Sequence, residues 1–207
     1  YISMYLNDGK SLSCEEETAE NCISSYVSDP SAPVPFMKDA ARRDKSYMVA
    51  DQSFASERAD VITFTGAPQE EVLKLQGLVK VDLNMSISTD DADVVVKLID
   101  VYPDGYQMFI RGEVFPVRYR ESLEDPKPAV PREAMNVQFT MNDVAHWVLP
   151  GHRLMVQIQS SWFPLVNMNP QTYMDNIYLA EPEDYTKAEI KIYHQKNLQS
   201  RILLPVI

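Results

Sequence analysis

Glycine is scarce in this sequence, and its few glycines are widely separated. The 207 residues include 6 glycines, and the closest two, Gly105 and Gly112, are 7 positions apart. A nucleophile elbow of the form G-x-S-x-G needs closer glycines, and so do the glycine-rich turns that bind dinucleotides or phosphates. These common catalytic and phosphate-binding turns are therefore excluded.

Positive charge and long apolar runs are also lacking. The chain has 19 basic and 30 acidic residues, which gives a net charge of -11 and a pI near 4.7. Proteins bind nucleic acid and anionic lipid through clustered Lys and Arg, and the densest basic run here, Arg42-Arg43-Asp44-Lys45, is short and interrupted. No apolar run is long enough for a membrane-spanning helix. The sequence thus predicts no nucleic-acid partner and no membrane span.

The chain begins at Tyr1 without an initiator methionine or a signal peptide, which predicts a processed or excised fragment. Its 2 cysteines, Cys14 and Cys22, could form a disulfide in an oxidising compartment or remain reduced thiols. The acidic composition and the cysteine pair favour the periplasm or exterior of a bacterium. No second Cys or His pair lies at ligand spacing, so no metal and no cofactor are predicted.

The pattern of apolar residues indicates strands. Residues 79–87 alternate between apolar and polar side chains, and residues 94–101 are β-branched and almost continuously apolar, as in a strand covered on both faces. Several further short strands follow at roughly even spacing. This pattern predicts an all-β fold, a jelly-roll β-sandwich of the galactose-binding-domain type, with short helical turns within 38–48 and 170–187.

Several segments then carry a resemblance to a known family. In chain order they are Tyr26–Pro35, Ala50–Gln52, Arg58–Phe64, Asp91–Gly105, Tyr119–Ser122, Pro150–Leu154 and Ser160–Pro164. Together they resemble the C-terminal domain of the Xaa-Pro dipeptidyl-peptidase, cocaine esterase and cephalosporin acylase family of serine hydrolases. The chain departs from the family pattern at Asn167-Met168, where members usually show an acidic residue followed by arginine.

The resemblance implies a non-catalytic role for this chain. Members of the family carry their Ser-His-Asp triad in an α/β-hydrolase domain, which is outside this sequence, so the chain alone is predicted to be inactive. Its expected partner is that catalytic domain of the same polypeptide, which it would stabilise and whose substrate pocket it would help to wall. Residues 1–25 would be a strand and connector from the catalytic domain, and residues 26–207 the jelly roll. A homo-oligomer is left open.

Four residues are candidates for the pocket wall or domain interface. Trp162 and Phe163 end a strand beside a proline, and Phe36 and Met37 follow the proline-rich segment at 30–35. The resemblance places the region of Phe36 near the acyl pocket. Ordinary core packing is the alternative, since aromatic residues at strand ends are usually buried.

Two catalytic or metal hypotheses carry less weight. Asp100, His152 and Ser160 could form a triad, but the resemblance places the triad elsewhere, and a structural hydrogen bond is favoured for His152. Calcium binds oxygen ligands, and a group of aspartates could provide them. No EF-hand spacing is present, so a solvated hairpin loop with one structural aspartate is favoured. The aspartates in question are Asp90, Asp91, Asp93, Asp100 and Asp104.

A free-standing carbohydrate-binding module is the alternative function. Jelly rolls often bind sugars, and Trp147, Trp162 and the 11 tyrosines could provide stacking platforms.

Overall fold

The computed structural model describes residues 1–40 and 45–207. Most of the basic run at 42–45 lies outside the described residues. Within them the strands are β1 Ile2–Asn7, β2 Ser11–Ser13, β3 Ile23–Ser28, β4 Ile62–Gly66, β5 Leu73–Ile87, β6 Asp93–Val101, β7 Gln107–Pro116, β8 Met135–Val148, β9 Arg153–Gln159, β10 Ala188–Tyr193 and β11 Arg201–Leu204. The described residues also contain one turn of α-helix, α1 Ser53–Ser56. Short 3-10 helices lie at Asp8–Lys10, Lys45–Val49, Val117–Tyr119, Ile177–Leu179 and Pro182–Asp184.

Hydrogen bonds link the strands in the order β3-β10-β5-β11-β1-β2-β4-β9-β6-β7, and β8 pairs with the other side of β5. The sheet folds over so that inward side chains from distant strands share one core. Val81 and Leu83 of β5 lie in the same buried cluster as Val96 and Leu98 of β6. The predicted all-β sandwich is thereby confirmed.

The first residues of the chain are hydrogen-bonded into this sheet. β1 pairs antiparallel with β11, with Ile2 opposite Leu204, and β2 pairs parallel with β4. Residues 1–25 thus contribute β1, β2 and the start of β3 to the sheet. That these residues also connect to a catalytic domain stays a prediction.

Both cysteines are free thiols. Cys14 is exposed and its Sγ lies 3.4 Å from Met4 Sδ, whereas Cys22 is buried. The disulfide that the sequence left open is not formed in this structure.

β6 is covered on both faces, as its continuous apolar sequence predicts. Val94, Val96 and Leu98 face the main core. Val95 faces the other way, into a second cluster formed with residues that precede α1 and follow β9. The segment that precedes α1 and the segment that follows β9 therefore cover the outer face of β6. These two segments form the candidate site.

None of the helices in the described ranges has the length and apolar character that crossing a bilayer requires.

Candidate domain interface and pocket wall

The structure brings the four predicted site residues together. The Phe36 backbone N–H donates to the carbonyl of Phe163 at 2.9 Å, and the Phe163 N–H donates to the carbonyl of Val34 at 3.0 Å. Phe36 and Trp162 belong to one buried cluster, and Met37 packs against it. Two segments more than 120 residues apart in sequence thus form one surface element.

Aromatic rings continue this cluster beneath the surface. The Tyr47 ring meets Phe36 edge to face with centroids 5.6 Å apart, and it meets Trp162 at 6.3 Å. Phe109 of β7 lies 5.6 Å from Trp162 on another side. Edge-to-face pairs at such distances are favourable beyond their apolar burial. Tyr47 and Phe109 could not be predicted as members of this cluster because neither lies near the other rings in the sequence.

Exposure divides the four predicted residues into two pairs. Phe36 and Trp162 are only 2% and 7% exposed, whereas Phe163 is 38% exposed and Met37 is half-buried. Only Phe163 and Met37 can therefore contact another domain or a substrate directly. Phe36 and Trp162 support them from below, which is the core packing that the sequence allowed as an alternative.

A fully buried lysine lies under this aromatic layer. Lys97 of β6 donates from Nζ to Gln52 Oε1 at 3.0 Å and to Gln157 Oε1 at 3.1 Å, and Nζ lies 5.3 Å from the centroid of a Trp162 ring. Burial lowers the pKa of Lys97 to about 7. Two amide acceptors match the two N–H groups of a neutral amine. The site therefore holds an ionisable group that titrates near neutrality directly beneath the predicted interface.

Neighbouring polar atoms have spare hydrogen-bonding capacity. Trp162 Nε1, Gln157 Nε2 and Gln159 Oε1 are buried and find no partner among the described residues. An unpaired buried donor or acceptor costs roughly 1–3 kcal/mol. This layer is thus less completely satisfied than an ordinary core.

Gly112 of β7 fits closely against the same rings. A Cβ at this position would lie 3.0 Å from the Phe109 ring and 3.0 Å from Trp162 Cη2. We expect Gly112→Ala to displace Trp162 and lower the free energy of unfolding by about 1–3 kcal/mol, the usual cost of overpacking. Urea unfolding followed by Trp162 emission in a Trp147→Phe background measures both effects. Unchanged emission with unchanged stability would contradict this close packing.

A cavity of about 380 Å³ adjoins the cluster. Val114 and Val166 pack against the aromatic cluster and also line the cavity, so the two are continuous. Its far rim carries Tyr178, followed by Leu179, and both are strongly exposed. One face of the sandwich thus combines exposed apolar side chains with a recess.

Buried charges form the floor of this cavity. Arg118 donates from Nε and Nη2 to Asp91 Oδ2 and from Nη1 to the carbonyl of Met174. Asn169 donates from Nδ2 to both Asp91 Oδ2 and Asp93 Oδ1, each at 2.9 Å. Burial, with a further contribution from the Asp91 charge, raises the pKa of Asp93 to about 6. The expectation of a solvated loop is therefore wrong for Asp91 and Asp93, which are buried.

The remaining aspartates of the calcium hypothesis are dispersed. Asp90 Oδ1 accepts from the Tyr173 N–H at 2.8 Å, Asp100 binds two histidines, and Asp104 lies exposed in the β6–β7 turn. The described residues contain no group of three or more His, Cys, Asp or Glu suited to hold a metal ion.

The possible triad is not assembled. His152 Nδ1 lies 2.9 Å from Asp100 Oδ1, and His146 Nε2 lies 2.9 Å from Asp100 Oδ2. Ser160, beyond the far end of β9, instead hydrogen-bonds to Tyr26 Oη at 2.8 Å. His152 thus has a structural partner, as favoured from the sequence. A nucleophile must lie within hydrogen-bond reach of its base, and Ser160 does not.

The two tryptophans differ as sugar platforms. Trp162 is buried in one cluster with Phe36 and Phe109, so it offers no stacking face. Trp147 is 60% exposed, but Lys74 Nζ lies over its ring at 5.2 Å from the centroid. The carbohydrate hypothesis therefore loses one of its two tryptophans.

This arrangement defines a class of protein: a β-sandwich with an apolar face and a charged recess, and with no assembled triad among the described residues. The family model for the X-Pro dipeptidyl-peptidase C-terminal non-catalytic domain matches residues 5–203. The chain belongs to this family.

Individual relatives agree with this membership. Cocaine esterase from Rhodococcus sp. (strain MB1 Bresler) is 32% identical over 183 residues, which cover 88% of this chain and 32% of the esterase. The crystal structure of an aminopeptidase from a marine sediment Thaumarchaeota archaeon is 36% identical to this chain, with a TM-score of 0.94. The match covers 99% of this chain and 36% of the aminopeptidase. The structure of a selenomethionine-labelled α-amino acid ester hydrolase is 42% identical, with a TM-score of 0.95. That match covers 100% of this chain and 36% of the hydrolase. The chain thus spans about a third of the length of these relatives.

Proposed function

We propose that this chain stabilises the α/β catalytic domain of a serine hydrolase and helps to wall its substrate pocket. The face that carries Met37, Phe163 and the adjoining cavity would contact that domain. The parent reaction would be the hydrolysis of an ester or amide through an acyl-enzyme, with the nucleophile supplied by the rest of the polypeptide.

One observation carries this proposal. Met37 packs against the cluster of buried rings, and the exposed Phe163 directly follows Trp162 of that cluster, with its backbone hydrogen-bonded to Val34 and Phe36. Apolar side chains on a rigid support are typical of the buried core of an interface. The chain belongs to a family of C-terminal domains, and its relatives are about three times as long. The rest of such a polypeptide would cover this surface.

Phe163→Ala in the intact polypeptide tests the pocket-wall role. We expect KM to rise about tenfold for p-nitrophenyl phenylacetate, since the loss of an aromatic contact removes roughly 1.4 kcal/mol of binding. KM for p-nitrophenyl acetate should change little because its acyl group is too small to reach the wall. With kcat unchanged, this pattern reports binding shared by the ground and transition states.

Leu78→Ala provides a matched control because Leu78 is an exposed aliphatic residue on β5, remote from Phe163 in the sheet order. Its KM values should equal those of the unmodified enzyme. If Phe163→Ala leaves the ratio of the two KM values unchanged, Phe163 does not line the acyl pocket.

A further inference from the structure

The cavity beside the aromatic cluster has an excess of negative charge. Its lining contains the carboxylates of Asp93 and Asp175 and the guanidinium of Arg118. Asp91 lies directly behind Arg118 and is itself fully buried. The cavity lining and the buried carboxylate behind it thus hold three carboxylates and one guanidinium.

Arg118 donates no hydrogen bond to Asp93, although its positive charge partly opposes the rise in the pKa of Asp93. Its Nε and Nη2 both donate to Asp91, and its Nη1 donates to the carbonyl of Met174. The Arg118 guanidinium also lies 4.8 Å from the centroid of the Tyr173 ring, which fixes its plane. Every nitrogen of Arg118 thus has a hydrogen-bond partner other than Asp93.

Asp93 is consequently a buried carboxylate with an open side. From the described residues it receives a single hydrogen bond, from Asn169 Nδ2 to Oδ1, and the side chain lines the cavity. One oxygen of Asp91, Oδ1, is also buried without a partner in the described part of the chain. Buried carboxylates are normally paired with a cation or hydrogen-bonded on both oxygens. The raised pKa of Asp93 is what such an incomplete site should show.

We propose that the cavity receives a lysine or arginine side chain from the catalytic part of the same polypeptide, which pairs with Asp93. Three observations select this occupant: the surplus of carboxylates, the apolar residues Val114, Val166 and Ile177 in the lining of the recess, and the exposed Tyr178 at its rim. A long side chain with an apolar stem and a cationic tip matches such a recess. The relatives, of which this chain spans about a third, supply the remaining polypeptide. This inference rests on the proposed docking of this face.

Asp93→Asn compared in two contexts tests the proposal. In this chain alone at pH 8, the variant should unfold at the same or a higher temperature, because Asn keeps the bond from Asn169 and removes a buried unpaired charge. In the intact polypeptide the same change would leave the incoming cation unpaired, and we expect the unfolding temperature of this domain to fall by about 4 °C or more. Asp104→Asn, in an exposed turn, is the control and should have no effect in either context.

The outcomes separate this inference from the proposed function. Destabilisation by Asp93→Asn in the intact polypeptide but not in the chain alone supports the cationic occupant. If Asp93→Asn is neutral or stabilising in both contexts, no cation pairs with Asp93 and the inference is wrong. The proposed docking still stands in that case if the unmodified domain unfolds at a higher temperature in the intact polypeptide than in the chain alone. If the unmodified domain unfolds identically in both contexts, the proposed docking itself fails. Binding of n-butylammonium chloride to the chain alone at micromolar concentration, lost in Asp93→Asn, would make the cavity a small-molecule site and also overturn the inference.

Discussion

Arg118→Met is expected to lower the free energy of unfolding of this chain by about 3–5 kcal/mol, because it leaves the charge of Asp91 buried without its cation. Both partners are buried, and two nitrogens of Arg118 donate to the same oxygen of Asp91. Methionine retains the apolar stem, so the loss reports the charge and its hydrogen bonds. Urea unfolding at pH 7, analysed by linear extrapolation, measures it.

Two further variants identify the cause. Arg201→Met removes an arginine whose partner Asp82 lies nearer the solvent, and it should cost no more than about 1 kcal/mol. The double variant Arg118→Met with Asp91→Asn should recover part of the loss, since no buried charge then remains unpaired. A loss below about 1 kcal/mol for Arg118→Met alone would show that Asp91 finds another partner or solvent.

β6 could be predicted from the sequence because it is rich in β-branched apolar residues. Its apolar residues run without alternation, and only burial on both faces is compatible with that composition. β8 could not be predicted at its full length of 14 residues. Its buried positions are odd-numbered up to Met141 and even-numbered from Val144, because the register with β5 shifts between Leu78 and Lys80. A β-bulge inserts one residue and inverts the alternation, which hides the strand from a search for period two.

The candidate site was predictable only in part. Trp162 and Phe163 stand out in sequence as aromatics beside a proline, but the contacts of Trp162 with Tyr47 and Phe109 depend on how distant segments fold over β6. Lys97 had a visible signal, since it is the one charge between Val94 and Ile99 in the apolar run of β6. A charged residue inside a strand covered on both faces must be paired or must change its protonation state. That rule would have identified Lys97 without the structure.

The stability of this chain is expected to rise with pH above neutrality because of Lys97. Its pKa is about 7 in the folded chain, where burial disfavours the charged form, and 10.5 is the ordinary value that applies when the chain is unfolded. Between these values the unfolded chain binds a proton that the folded chain does not, so raising the pH favours folding. The contribution grows by roughly 5 kcal/mol over the whole window, of which about 3 kcal/mol falls between pH 7 and pH 9.5.

Comparison with Lys97→Met isolates this contribution, because other titrating groups affect both proteins alike. Urea unfolding at pH 7 and at pH 9.5 should show that the free energy of unfolding of the unmodified chain rises by about 3 kcal/mol more than that of the variant. Lys74→Met, which removes an exposed lysine beside Trp147, should retain the pH dependence of the unmodified chain. Parallel pH profiles for Lys97→Met and the unmodified chain would mean that Lys97 stays charged when folded. In that case Gln52, Gln157 and the Trp162 ring would have to stabilise a buried ammonium group, and the layer beneath Phe163 would carry a fixed positive charge towards the proposed pocket.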